Sequence, residues 1–162
     1  MRAAKGLSLQ MTKSKQAFLI SIISILSVIL LDRISKLFFI SLFSVGESIA
    51  VIRNIFHFTL VYNTGIAFGL FKDQGVIFII ISIVAIFLFS WFLYSQHEEK
   101  DFSRLSVFAF SLIIGGAFGN LIDRIQFGYV IDFLDFRIWP VFNIADSAIT
   151  VGIVLYDFSI FV

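Results

Sequence analysis

From Val76 to Tyr94 the chain runs without one charged residue, and no other feature constrains its fold as tightly. A helix rises about 1.5 Å per residue, so this stretch reaches close to the roughly 30 Å of a bilayer's hydrocarbon core. Three further runs are comparable. Ala17 to Leu31 is short but continues through Asp32, Arg33 and Lys36 to Phe43; the third extends from Leu105 to Ile122 and the fourth from Phe142 to Val162. Composition agrees, with 59% hydrophobic and 14% charged residues and a mean hydropathy of +1.01. An ordinary soluble domain is about 45–50% apolar and about 25% charged. A chain with so little polar surface cannot cover itself in water. The expectation is an all-α polytopic membrane protein, a single domain over residues 1–162, with spans near 16–43, 76–94, 105–122 and 142–162.

Orientation follows from the basic tail. Arg2, Lys5, Lys13 and Lys15 precede the first span without an acidic residue, which holds that end in the cytoplasm. Counted over the whole chain, tail included, the twelve Lys and Arg divide evenly, six on each side. That tie includes Arg33, Lys36 and Arg124 at helix ends, so the tail decides. The first apolar run lacks a small-x-small cleavage site and reads as a retained helix. Four spans put both termini in the cytoplasm, residues 32–75 and 123–141 outside, and 95–104 inside. Trp91, Tyr94 and Trp139 fall where interfacial anchors belong. The outer segment 44–75 is too long for a turn. Its stretch Ser48 to Tyr62 is rich in β-formers, and Phe56 to Leu60 alternates at period two, which predicts two or three short strands.

Several chemistries are excluded at once. A net charge of +1 gives no concentrated basic face for nucleic acid. With no Cys, there are no disulfides, thiolate nucleophiles or Cys-ligated metals. His57 and His97 are too far apart for a zinc hydrolase motif, and neither a Gly-x-Ser-x-Gly elbow nor a Walker loop occurs. Chemistry must come from Asp, Glu, Ser, Lys or Arg.

A charge near the membrane marks a pairing or functional site by default. Asp32, Asp123, Asp132, Asp135 and Asp146 all converge on the outer side. Asp32 and Lys36 share a helix face and read either as a structural ion pair or as part of the chemistry. Ser21, Ser24 and Ser27 form a packing stripe. In Asn63-Thr64-Gly65, Gly65 permits a sharp turn and Asn63 can bond an extended backbone; a plain turn also explains the run. Glycines 115, 116 and 119 suit close helix packing, after which Asn120 and Asp123-Arg124 end the third helix at the outer boundary, with Arg124 able to clamp a carbonyl or carboxylate. Asp146 lies one turn into an apolar helix. Were Asp132 to fold onto it, the two would share a proton, giving a base to activate water and an acid for a carbonyl oxygen. Separate pairing, such as Asp132 with Arg137, remains the alternative.

Taken together, Asp32-x-x-x-Lys36, Asn63-x-Gly65-x-x-Phe68, Gly116-x-x-x-Asn120-x-x-Asp123-Arg124, Gly128-x-Val130-x-Asp132-Phe133 and Phe142-Asn143-x-Ala145-Asp146 resemble lipoprotein signal peptidase, the signal peptidase II family of bacterial intramembrane aspartic proteases. The resemblance implies a catalytic pair at Asp132 and Asp146. It implies that Asn63, Asn120, Arg124 and Asn143 hold the substrate backbone, with Asp32, Lys36, Gly65, Gly116, Asp123 and Ala145 in support. It further implies four transmembrane helices with a small antiparallel β-cradle on the extracytoplasmic face, in the bacterial inner membrane with the site near the outer leaflet. Diacylglyceryl-modified prolipoproteins would be cut before the lipid-bearing Cys without a cofactor, by a monomer inhibited by globomycin. Members often end in a basic tail, and no positive charge follows Arg137 here. Asp157, about 16 Å along the helix from Asp146, belongs near the cytoplasmic interface. The short Asp132–Asp146 connection is expected to reduce that loop's share of the cradle.

Two other classes compete. A small transporter, or a structural protein whose outer carboxylates bind a cation, would place ionisable groups near mid-membrane on repeated halves. Neither feature is visible. A Ser–Lys peptidase could use Ser35 and Lys36, but adjacent helical residues point apart.

Overall fold

A computed structural model describes residues 13–65, 75–95 and 103–161. In chain order these form α1 (Lys13–Leu42), β1 (Ser48–Ile52), β2 (Phe56–Asn63), α2 (Gly75–Ser95), α3 (Arg104–Phe127), β3 (Val130–Asp135) and α4 (Ile144–Ser159). Three helices, α1 to α3, are long and apolar enough to cross a membrane. Helix α4 has 16 residues and reaches about 24 Å, short of the roughly 20 residues that a perpendicular crossing needs.

Helix α3 is the hub, packed against α1, α2 and α4. Its glycines let the neighbouring backbones approach. A Cβ at Gly115 would stand 2.9 Å from Val28 Cβ of α1, and one at Gly116 would strike the Ala145 carbonyl of α4 and lie 2.8 Å from Ile149 Cγ1. Gly152 returns the contact from α4, where a Cβ would sit 2.7 Å from the Ala109 carbonyl. Small residues at helix contacts are the means by which membrane helices gain van der Waals packing without a hydrophobic driving force. By contrast α2 buries only Phe78 and presents the rest of its apolar surface outward.

Along α1 the buried positions are Ser24, Val28, Asp32, Lys36 and Phe39, one stripe at helical spacing. Of the three serines expected to pack, Ser24 is buried while Ser27 is exposed. The stripe carries the helix from the bundle into the sheet. There Phe39 stacks on Phe133 at 4.2 Å between ring centres and meets Phe58 at 4.8 Å, in a core with Leu60 and Ile131.

The sheet has three antiparallel strands in the order β1-β2-β3. Two come from the outer segment, as the alternation predicts. The third does not: β3 comes from the loop expected to contribute little, and Phe142 extends its far edge through a bridge to Leu134. Its residues are buried on both faces, so no polar alternation marks it in the sequence. Helix α3 also differs from expectation. It continues past Asp123-Arg124 to Phe127, and Gly128 at φ 79° supplies the left-handed cap, its N–H bonding the Arg124 carbonyl at 3.0 Å.

Candidate active site

Three pieces of chain converge where α3, β3 and the start of α4 meet. Helix α4 begins with a capping box. The Asn143 Oδ1 accepts from the Asp146 N–H at 2.9 Å, and Asp146 Oδ2 accepts from the Asn143 N–H at 3.3 Å. The cap therefore fixes both residues, and it leaves the Asn143 amide free to donate to Asp132 Oδ1 at 2.7 Å. From β2, Asn63 donates to the other Asp132 oxygen at 2.9 Å, while its own Oδ1 accepts from Gly65 N–H at 3.0 Å. From α3, Asn120 donates to Asp146 Oδ1 at 2.7 Å. Three amides thus hold the two carboxylates.

Asp132 and Asp146 line one cavity of about 210 Å³, with Asn63, Gly65, Asn120 and Arg124; Trp139 to Phe142 form its outer wall. Burial, reinforced by the neighbouring Asp146, pushes the Asp132 carboxyl up to about 7, against the donated amide bonds that favour its ionised form. Arg124 adds a positive charge at the rim, its guanidinium 5.3 Å from the Phe78 ring centre of α2. A second, apolar cavity of about 280 Å³ runs between α2, α3 and α4 past Phe78, Ile81, Phe89, Ile113 and Ile149. It meets the polar one at Asn120 and Arg124.

Beneath the carboxylates lies a buried charge network. The Lys36 ammonium, fully buried, sits 2.7 Å from Asp32 Oδ2 and 2.7 Å from Asp123 Oδ2, and donates to Asn120 Oδ1 at 3.2 Å. Asp32 turns its other oxygen to the Ala145 N–H at 2.9 Å, tying α1 to the first turn of α4. Asp123 accepts from the Ile131 N–H at 3.2 Å. Its Oδ1 lies 3.3 Å from Arg33 Nη1, close enough for ionic attraction but without hydrogen-bond alignment. Two carboxylates and two cations leave the network neutral, which is what makes buried charges tolerable. Gly119 admits the Asp32 carboxylate, since a Cβ there would stand 2.7 Å from Asp32 Oδ2.

The matched family model is that of signal peptidase (SPase) II, over residues 24–162. The chain belongs to the signal peptidase II family. It is similar to the lipoprotein signal peptidase of Halothermothrix orenii, 48% identical over 82% of this chain and 89% of that one. The Moorella thermoacetica lipoprotein signal peptidase is 44% identical over 80% and 85%. Among solved structures, a bacterial membrane enzyme determined in meso at 2.3 Å resolution is 29% identical, with a TM-score of 0.76 over 91% of this chain and 88% of that one. The protein is therefore a membrane peptidase of the signal peptidase II type.

Of the family-like motifs, Asn63, Gly65, Asn120, Arg124, Val130, Asp132, Phe142 and Asp146 line this cavity. Asp32, Lys36, Asp123, Asn143 and Ala145 bond to it or to the network beneath. Gly128 and Phe133 serve the α3 cap and the sheet core; Phe68 lies outside the described residues. The ion-pair reading of Asp32 and Lys36 is borne out, enlarged by Asp123. Asp132 does not pair with Arg137, whose guanidinium binds Asp135 at 2.8 Å. Ser35 donates to the Asp32 carbonyl at 2.9 Å, and the Lys36 ammonium is held by two carboxylates, so no Ser–Lys pair forms. Asp135, which the sequence marks only as one of the outer carboxylates, also shapes the site. Asp135 accepts from Thr59 at 2.7 Å and from both the N–H and guanidinium of Arg137 at 2.8 Å. Burial raises its pKa, but these bonds outweigh burial and hold it below the usual carboxylate value. They also fix Arg137 at φ 65°, where the chain turns into the cavity wall.

Proposed function

We propose that this protein is an aspartic endopeptidase that removes signal peptides from diacylglyceryl-modified prolipoproteins, cutting before the lipidated Cys. The observation that carries the reading is the pair Asp132 and Asp146, brought into one cavity from β3 and α4 and each held by amide donors. Two neighbouring carboxylates that share one proton supply a base and an acid together. One takes a proton from water as its oxygen attacks the scissile carbonyl; the other gives its proton to the carbonyl oxygen. The tetrahedral intermediate then collapses: the carboxyl that received the water proton protonates the leaving amine, and the other carboxylate takes back the proton of the hydroxyl that becomes the new carbonyl.

The amide geometry divides the remaining roles. Asn63, Asn120 and Asn143 position the pair, because their donors already point at carboxylate oxygens. Arg124 at the rim binds a substrate carbonyl by charge-assisted hydrogen bonding. Asp32, Lys36 and Asp123 hold α1, α3 and α4 in register, with Gly116 and Ala145 at the closest α3–α4 approach. The apolar cavity beside Arg124 suits the hydrophobic part of a membrane-borne substrate entering sideways. Leaving the acyl chains in lipid avoids an extraction cost of about 0.8 kcal/mol per CH₂. In this reading residues 1–162 form one peptidase domain in the bacterial inner membrane, α4 is the fourth membrane helix, both termini are cytoplasmic and the sheet cradles the substrate at the outer leaflet. In the same reading the protein acts as a monomer.

The test is cleavage of a lipidated prolipoprotein by purified protein in detergent, comparing wild type, Asp132→Asn and Asp146→Asn. Both variants, folded by their thermal transitions, lose at least about 1,000-fold in kcat. Full activity in either folded variant removes the dyad; an inactive wild type on several lipidated substrates removes the function.

A further inference from the structure

An amide looks almost the same from either end, so each asparagine beside the carboxylates could point its oxygen or its nitrogen at them. The partner on the far side decides. Gly65 N–H fixes Asn63, and Asp146 N–H fixes Asn143, because a backbone N–H can only donate. Asn120 has no backbone partner of that kind. Its Oδ1 meets the Lys36 ammonium at 3.2 Å and the Asn143 amide at 3.1 Å, and only then does its Nδ2 face Asp146 at 2.7 Å. An ammonium carries three donors and no acceptor.

We infer that Lys36 is a positioning residue for the dyad, whose ammonium locks the Asn120 amide so that it donates to Asp146 and thereby sets the pH range in which the pair carries its single proton. The inference rests on the dyad reading above. Lys36 reaches Asp146 through one intervening side chain and is wholly buried, so it touches no substrate. The ammonium and the donated amide both favour a carboxylate over a carboxylic acid. Without the ammonium only the Asn143 Nδ2 still holds the Asn120 oxygen, and its two hydrogens are shared with Asp132 Oδ1 and the Ile131 carbonyl. Asn120 can then turn its oxygen toward Asp146, an arrangement that a protonated carboxyl satisfies and a carboxylate does not. The pair then ionises only at higher pH. The charged groups around the pair are Asp32, Arg33 and Lys36 from α1, Asp123 and Arg124 from α3 and each other's carboxyl from β3 and α4; α2 contributes none.

Removing Lys36 alone would leave Asp32 and Asp123 buried and repelling. The informative variant is therefore Lys36→Met with Asp32→Asn, which takes away one charge of each sign and leaves mainly the loss of orientation. Infrared titration of the purified protein reads the dyad directly, through carboxyl bands assigned by their loss in Asp132→Asn and Asp146→Asn. That readout does not depend on cleavage, so it stands even if the wild type fails on lipidated substrate. The expected result is an upward shift of the dyad midpoint by about one pH unit. Asn120→Ala should give a similar shift, and adding it to the Lys36 variant should shift the midpoint little further. Asp32→Asn alone keeps the ammonium on Asn120 and should not move the midpoint upward. Should the Met variant not fold, Lys36→Gln with Asp32→Asn replaces the ammonium with a group that both donates and accepts, and a smaller upward shift is expected. A wild-type midpoint in a folded Lys36 variant, or shifts that add fully with Asn120→Ala, would overturn the inference.

Discussion

Gly116 offers a sharp test of whether the α3–α4 contact sets the catalytic geometry. In Gly116→Ala the new Cβ would strike the Ala145 carbonyl and stand 2.8 Å from Ile149 Cγ1. Carbon atoms at rest lie about 3.5–4.0 Å apart, so the shortfall is about 1 Å. The carbonyl is backbone and cannot rotate away; the helices must part. Ala145 is the residue before Asp146 and its N–H is tied to Asp32, so that movement falls on the first turn of α4, which carries one carboxylate of the proposed dyad. Overpacking costs about 1–3 kcal/mol, while replacing a mid-helix glycine with alanine returns about 1 kcal/mol. A net loss of up to about 2 kcal/mol follows, lowering the thermal midpoint by a few degrees. The larger effect is on catalysis, since a displacement of about 1 Å in a reacting constellation costs on the order of 100-fold. The assay is kcat/KM for a lipidated prolipoprotein at a temperature where the variant is fully folded. Folded Gly116→Ala cleaving within about threefold of wild type would refute the idea that this contact places Asp146.

Three further outcomes follow from the same geometry. Because burial raises the folded pKa of Asp132 to about 7, well above the roughly 3.9 of an unfolded chain, the folded state binds more protons between those values. Stability therefore falls as pH rises from about 4 to about 7, and thermal scans of Asp132→Asn should lack that decline; an unchanged slope would show that Asp132 is not its source. Asn143→Ala removes the α4 cap, costing about 1 kcal/mol, and takes a donor from Asp132 Oδ1, so kcat should drop far more than stability; equal losses in both would reduce Asn143 to a cap. Asp135→Ala frees Arg137 from its left-handed turn and loosens the Trp139–Phe142 wall, so KM should rise more than kcat falls, a split that steady-state kinetics reads directly.

Much of the architecture is legible because the membrane imposes simple rules. An uncharged run such as Val76 to Tyr94 has one economical solution in lipid, a helix that satisfies its own backbone, and the structure places α2 there. The alternation at Phe56 to Leu60 likewise marks β2. Strand β3 escaped because burial on both faces erases the period that betrays a half-exposed strand. The end of α3 differs because charges at Asp123 and Arg124 suggest a water boundary, whereas Asp123 is paired with Lys36 inside the protein, Arg124 lines the cavity over Phe78, and Gly128 is the true stop.

The sequence by itself determined that this is a membrane protein and that its ordered motifs are those of signal peptidase II. Those properties are local or additive: apolar length, residue spacing and charge count. Only the tertiary structure decided that Lys36 joins Asp32 to Asp123 and Asn120, and that Asn63, Asn120 and Asn143 turn their donors onto Asp132 and Asp146. Hydrogen bonds and ion pairs reach only about 3–4 Å and depend on direction, so residues far apart in the chain acquire their partners only when packing brings the elements together.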